Sequence, residues 1–339
     1  MIPQMALVMG DPAGIGPELM AGLLARADDL ADAGVVAIGD RRVLAKGERA
    51  LGITLELETC RGQGNLRPAE PGRPLFYDMG NIDPEELPPG TASALGGKSA
   101  LENFALALDM ARDGRVDAIT FVPFNKEALR LGGNPFDDEM SFAADRLGHQ
   151  GAVAEFNVVD KLWNARVTSH VALRDVADLI TEERLLEHLD LAVRALKEAG
   201  FDRPRIAVAA LNPHAGDGGS FGREEIDVIE PAVHKARRLA EAQGFVVEGP
   251  FPSDTVFVRA RDGHFDAVLT MFHDQGQIAI KLLGFDRGIT VLYGFTVPIT
   301  TPAHGTAYDI AGRGIARLEP TRLAFNMAKQ MAKSRAGRS

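Results

Sequence analysis

Three of the eight histidines in this 339-residue chain stand directly after short apolar runs. They are His170 in Val167-Thr168-Ser169-His170, His214 in Leu211-Asn212-Pro213-His214, and His273 in Met271-Phe272-His273. If each run is a parallel strand, its carboxyl end lies on the edge of an open α/β sheet where ligands bind. Three imidazoles on one edge could converge on a single divalent ion and leave positions open for substrate, as catalytic metal sites do. The competing reading is three unrelated loop histidines with backbone partners. His188 and His234 fall inside helical patterns, and His149 and His264 in turn-like segments, so packing or surface roles are expected for those four.

In His273-Asp274-Gln275-Gly276, a carboxylate beside a ligating histidine could orient its ring or accept a proton. Lys281 follows two helical turns later, where a cation could hold an anion. Gly10-Asp11-Pro12-Ala13-Gly14-Ile15-Gly16-Pro17-Glu18 is neither a P-loop nor the G-x-G-x-x-G fingerprint, and reads as a tight turn leading into a helix. Asn125 and Lys126 sit at the carboxyl end of another strand-like run. Ala303-His304-Gly305-Thr306-Ala307 reads as a turn entering a helix whose free amides could take a phosphate.

The elements that must position these residues alternate in type. Strands are expected at Met5–Met9, Val35–Ile38, Ala118–Val122, Arg166–Ser169, Ile206–Leu211, Phe245–Val247, Ala267–Met271 and Ile289–Leu292. Helices are expected at Leu101–Arg112, Glu182–Ala199, Arg223–Ala242 and Leu318–Lys333. The strand candidates are rich in Val and Ile without in-out alternation, which suits burial on both faces. That alternation of strand and helix predicts an α/β class with a largely parallel sheet, and the length predicts about two domains. The Pro- and Gly-rich stretch 67–90 reads as irregular connection or a short β excursion.

Lys and Arg total 37 against 47 Asp and Glu, a net charge of −10. Such a field disfavours nucleic acid but leaves room for a small anion held by a local cation. A lone cysteine, Cys60, excludes an intrachain disulfide and a Cys-based metal site. No apolar run reaches the ~20 residues of a membrane span, and the N-terminus has no signal-peptide pattern, so no membrane partner and a cytoplasmic location are expected.

Seven motifs then occur in order: GDPAGIGPE at 10–18, VPFNKEAL at 122–129, SHVALRD at 169–175, LNPHAGDGGSFGREE at 211–225, SDTVF at 253–257, HDQGQIAIK at 273–281 and HGTAYDIAGRG at 304–314. Together they resemble the 4-hydroxythreonine-4-phosphate dehydrogenase family. The resemblance implies an isocitrate/isopropylmalate dehydrogenase-like fold: two α/β/α lobes with a cleft between them, residues 1–130 plus 285–339 and residues 131–284. It also implies a homodimer with shared active sites, one divalent metal (Zn, Co, Mn or Mg) on His170, His214 and His273 contributed across the dimer interface, and NAD or NADP bound without a G-x-G-x-x-G turn. The implied reaction oxidises a secondary alcohol of a small hydroxy acid, with β-decarboxylation where a carboxylate is suitably placed. Lys281 matches a substrate-contacting lysine, Asp274 is the expected acid/base or ring-orienting partner, and Asp254 and Asn212 are the expected cofactor contacts.

The chain also departs from the family. A substrate-touching His-Thr pair is replaced by Glu139-Met140, a substrate-contacting Asn by Thr290 and an Arg by Ile299, while Asp217 stands where Glu is usual. Losing an Arg and gaining a carboxylate weakens a phosphate site. The expected substrate is therefore a threonate or erythronate phosphate, or an unphosphorylated diol acid. Alternatives are a true 4-hydroxythreonine-4-phosphate dehydrogenase of pyridoxal phosphate biosynthesis, a cis-dihydrodiol dehydrogenase of the terephthalate type, and a catalytically silent ligand-binding paralogue. A Rossmann-type dehydrogenase using Asp40 for the ribose is disfavoured by the missing glycine fingerprint.

Overall fold

Apolar runs such as Met5-Ala6-Leu7-Val8 become strands with no exposed face, as parallel strands covered by helices on both sides must. The computed structural model describes residues 2–337 except Gln63, Asn65 and Phe285. Among the described residues the strands are, in chain order, β1 (Gln4–Val8), β2 (Gly34–Gly39), β3 (Glu58–Cys60), β4 (Leu75–Asp78), β5 (Ala118–Phe121), β6 (Ala154–Val159), β7 (Leu162–Arg166), β8 (Arg205–Ala209), β9 (Val246–Phe251), β10 (Ala267–Thr270), β11 (Ile289–Tyr293) and β12 (Ile299–Pro302). The chain divides into two units, Met1–Gly151 with Phe295–Ser339, and Ala152–Gly294.

The first unit holds six parallel strands in the order β3-β4-β2-β1-β5-β12. Its core gathers Met5, Leu7, Met20, Leu44, Phe76 and Phe325 from the sheet and from helices Gly16–Leu24, Arg41–Leu51 and Glu319–Ala336. The first two of these helices touch at Gly47, where a Cβ would stand 2.2 Å from the Pro17 carbonyl oxygen. Only glycine fits there. Asp40, Ser93 and Asn125 each cap a helix by accepting a backbone N–H. Asp40 and Asn125, both considered for ligand roles, thus have structural ones.

The second unit has the order β11-β6-β7-β10-β8-β9. Strands β7, β10, β8 and β9 are parallel, and β6 runs antiparallel to both β11 and β7. Helices Ser253–Arg261 and His273–Gly284 bury Val256, Phe257 and Ile280 against Leu162, Ala207, Ala209 and Val268 of the sheet. Leu185, Leu189, Val193 and Leu196 form the buried stripe of helix Glu182–Glu198.

The mixed α/β class follows the sequence expectation. The strand expected at Arg166–Ser169 lies instead at Leu162–Arg166, and Val167–Ser169 carry the chain off the sheet edge. The helix expected from Arg223 opens with a π-type turn at Glu225–Ile229 before Glu230–Gln243. The unit boundaries fall at Gly151/Ala152 and Gly294/Phe295, against 130/131 and 284/285 in the sequence reading. Helices Lys126–Leu131 and Glu139–Leu147 pack on Ala94–Arg112 of the first unit, and β11 pairs with β6 of the second. Among the described residues no helix is long and apolar enough to cross a membrane.

Candidate metal and substrate site

Strands β7, β10 and β8 are neighbours and parallel, so their carboxyl ends share one edge of the second unit's sheet. His170 stands four residues past β7, His273 three past β10, and His214 in the turn after β8. The rings of His170 and His273 lie with centroids 5.8 Å apart, their planes tilted by 42°. Nδ1 of His273 lies 2.7 Å from Asp274 Oδ1. With the proton on Nδ1 and donated to that carboxylate, Nε2 keeps its lone pair for a cation. Thr168, Ser169, Phe272 and Asp274 line the pocket around these two imidazoles. His170 adopts φ +49°, a left-handed conformation that costs free energy in a non-glycine residue and concentrates at functional sites.

His214 belongs to the same edge but not to the pair. From His214 to Gly218 five residues in succession are left-handed, and the His214 ring lies 6.3 Å from that of Phe221. Glu225, buried, braces this turn: its Oε1 accepts the backbone N–H groups of Leu211 and Asn212 at 2.9 and 2.8 Å. Asn212 spends its side-chain amide on Glu224 and Glu225, at 2.6 and 2.9 Å. Among the described residues no three His, Cys, Asp or Glu side chains are placed to hold a metal ion. The convergence of three imidazoles expected from strand ends is therefore, within one chain, a convergence of two, because the left-handed run turns the third toward Phe221.

Lys281 is exposed on helix His273–Gly284, between the exposed side chains of Ile278 and Leu282. Asp254 lies in the first turn of helix Ser253–Arg261. Thr290, buried in β11, accepts a hydrogen bond from Asn157 Nδ2 at 3.2 Å. Ile299 is fully buried in β12 of the first unit. Glu139 and Met140 open the helix Glu139–Leu147, capped by Asp138.

The segment 303–307 does not enter a helix. Ala307 is left-handed at φ +43° and leads only into a 3₁₀ turn, Tyr308–Ile310, so the phosphate-binding helix start expected there is absent. His304 is instead drawn inward, and burial pushes its pKa down. This segment docks on the glycine-rich run near the N-terminus. The Tyr308 hydroxyl donates to Asp11 at 2.6 Å, and Glu18 accepts the backbone N–H groups of Gly312 and Gly314. Burial raises the pKa of Asp11 although the Tyr308 and Ala13 bonds oppose it.

The sequence reading missed an ion pair between buried Arg166 at the end of β7 and half-buried Glu155 of β6, Nη2 to Oε1 2.5 Å. An arginine in an apolar strand was the available signal.

Comparison with known proteins bears on this geometry. A family model described as "Pyridoxal phosphate biosynthetic protein PdxA" matches residues 31–328. A Rhizobium meliloti protein named "Putative 4-hydroxythreonine-4-phosphate dehydrogenase 2" is 54% identical, covering 98% of this chain and 94% of its own. The "D-threonate 4-phosphate dehydrogenase" of Salmonella typhimurium is 40% identical, covering 96% and 98%. The crystal structure of 4-hydroxythreonine-4-phosphate dehydrogenase from Klebsiella pneumoniae superposes with a TM-score of 0.78 at 37% identity, covering 97% of this chain and 99% of that one. A β-decarboxylating dehydrogenase from Thermococcus kodakarensis, 18% identical over 96% of this chain and 82% of that one with a TM-score of 0.51, shares the fold alone. The chain belongs to the PdxA family and is, with its named relatives, a dehydrogenase acting on a CH–OH group.

Proposed function

We propose that this protein oxidises a secondary alcohol of a small hydroxy acid of the threonate or erythronate class, passing hydride to NAD or NADP. One divalent metal ion is held by His170, His273 and His214 of a second copy of the chain. The observation that carries this reading is the His170–His273 pair, 5.8 Å apart on adjacent strand ends, with Asp274 fixing the His273 ring. Two imidazoles with a ring-orienting carboxylate suit Zn, Co or Mn and leave the donor set one short. His214, on the same edge but turned elsewhere, supports completion by a second copy. So do Leu173, Phe221, Ile278 and Leu282, large apolar side chains left exposed on the elements that carry these histidines.

Held by these histidines, a divalent ion would supply Lewis acidity, lowering the pKa of the alcohol and polarising the carbonyl it becomes. This chain's own groups do the rest. Asp274 orients the His273 ring and offers a carboxylate in the pocket for the hydroxyl proton. Lys281 supplies a cation in contact with the substrate. The C–H electron pair leaves as hydride to the nicotinamide, and where a carboxylate sits β to the new carbonyl, CO2 departs and leaves its C–C electron pair as an enolate that takes up a proton. Asp254 and Asn212 remain the expected cofactor contacts.

Glu139, Met140, Thr290 and Ile299 in place of the family's polar and cationic contacts favour a substrate other than 4-hydroxythreonine 4-phosphate. The family's description keeps the vitamin B6 reaction as the second reading. The test is a panel of hydroxy acids scored for NADH, NADPH and CO2 with Mg, Mn, Zn or Co. The expected result is turnover of a threonate or erythronate compound, with 4-hydroxythreonine 4-phosphate at least a hundredfold poorer in kcat/KM. Preferred turnover of 4-hydroxythreonine 4-phosphate would establish the second reading instead.

A further inference from the structure

Strand β7 turns Leu162, Asn164 and Arg166 to one face, because alternate strand residues share a side. On that face Asn164 lies against the first turn of helix His273–Gly284: a Cβ on Gly276 would stand 2.0 Å from Asn164 Oδ1. Its register partner on β6, Asn157, accepts a hydrogen bond from Gln277 of the same helix at 2.6 Å. Two residues further toward the carboxyl edge, Arg166 and Glu155 therefore lie at the level where the helix begins with His273. The Arg166 side chain is 2% exposed and Glu155 22%. One Glu155 oxygen, Oε1, receives both Arg166 Nη2 at 2.5 Å and Asn157 Nδ2 at 3.3 Å. Nε and Nη1 of Arg166 are buried and have no acceptor.

A buried guanidinium with two nitrogens unspent is costly unless something else takes their hydrogens. Its planar fork suits two oxygens of one acid group, whereas Glu155 supplies a single oxygen shared with an amide. Helix His273–Gly284 has 12 residues, so its start adds a positive dipole at the same level. Thr290 and Ile299, at positions where the family resemblance implies substrate contacts, carry no charge. We propose that Arg166 receives the acid group of the substrate, with Glu155 as the counter-charge that holds the guanidinium until that group displaces it. This rests on the hydroxy-acid reading above. The recognised chemistry is a pair of anionic oxygens, from a carboxylate or a phosphate.

The test is isothermal titration of the full-length protein with magnesium present and no nicotinamide. Inorganic phosphate serves in one arm and D-threonate in the other, so the arm that binds identifies the source of the oxygens. The wild type is expected to bind at least one probe. Arg166→Met should weaken it tenfold or more, Arg166→Lys should restore part of the loss, and Glu155→Gln should tighten it severalfold by removing the competing carboxylate. No binding of either probe by the wild type, or unchanged binding by Arg166→Met, would overturn the proposal. If Arg166→Met does not fold, Glu155→Gln decides alone: tighter binding supports the proposal and equal or weaker binding overturns it. Arg166-dependent binding without turnover of any hydroxy acid would remove the dehydrogenase reading and leave the anion site standing.

Discussion

The first unit's paired loops and the second unit's histidine edge are both glycine-rich and both follow strands, yet they differ in how they spend their buried charged groups. In the first unit, Asp11 and Glu18 are only 1% and 3% exposed, and both spend their oxygens internally, on Tyr308 and Ala13 and on Gly312 and Gly314. In the second unit, His170 and the run from His214 to Gly218 are held left-handed, and buried polar atoms of Arg166 and Ser169 find no partner. Carboxylates satisfied inside a loop pair build a scaffold. Ala307 is left-handed and His304 Nε2 has no partner in the first unit too, so what sets the second unit's edge apart is a run of five left-handed residues and a buried guanidinium with unspent donors. Glycine content alone does not distinguish the two.

The strongest way to break this comparison is to remove the histidines. His170→Ala or His273→Ala should lower kcat/KM by about a hundredfold or more, at least what losing a ligand's hydrogen-bond partner costs, while shifting urea-melt stability by less than about 1 kcal/mol. A stability loss that matched the activity loss would make the edge scaffold rather than site. Next come two glycines. A Cβ at Gly10 would stand 2.2 Å from the Val122 carbonyl oxygen and 2.3 Å from that of Pro123, so Gly10→Ala should cost more than about 3 kcal/mol. Gly218 is left-handed at φ +64° but meets no atom within 4 Å, and Gly218→Ala should cost only about 1 kcal/mol. Equal melts for the two variants would erase the contrast between the loops.

A smaller effect separates the second unit's histidines from one another. Burial, with Arg184 adding to it, pushes His188 down to about 4. The unfolded chain, with an ordinary histidine near 6.5, binds a proton that the folded protein refuses between those values. Stability should therefore fall as pH drops from about 6.5 to about 4, by up to about 1.4 kcal/mol per pH unit, and His188→Gln should flatten that slope. An unchanged slope in chemical-denaturation curves would place His188 in solvent.

Much of this contrast was legible in the chain, unevenly. The strands β1, β2, β5, β8, β10 and β11 announce themselves through runs dominated by Val, Ile, Leu and Ala, and the ends of β8 and β10 gave the address of His214 and His273. Strands β6 and β12 do not, because Glu155 and Asn157 interrupt one and Thr300, Thr301 and Pro302 dominate the other. Their strand character comes from neighbours, not propensity. Trp163 and Asn164 hid the start of β7 in the same way. Asp274 beside His273 could be read from adjacency. The turn of His214 toward Phe221 could not, since five successive left-handed residues leave no periodic signal. Arg166 showed only as an arginine in an apolar run, because its ion pair and its unspent donors depend on β6, which the sequence concealed.

The central claim is that two copies of this chain close one cation between His170 and His273 of one and His214 of the other. Crystals soaked in manganese or zinc and measured at the metal's absorption edge test it directly. The account predicts one anomalous peak per site, about 2.0–2.2 Å from a ring nitrogen of each of those three histidines. Peaks absent from the strand edge, or three rings pointing apart in the assembled dimer, would contradict it.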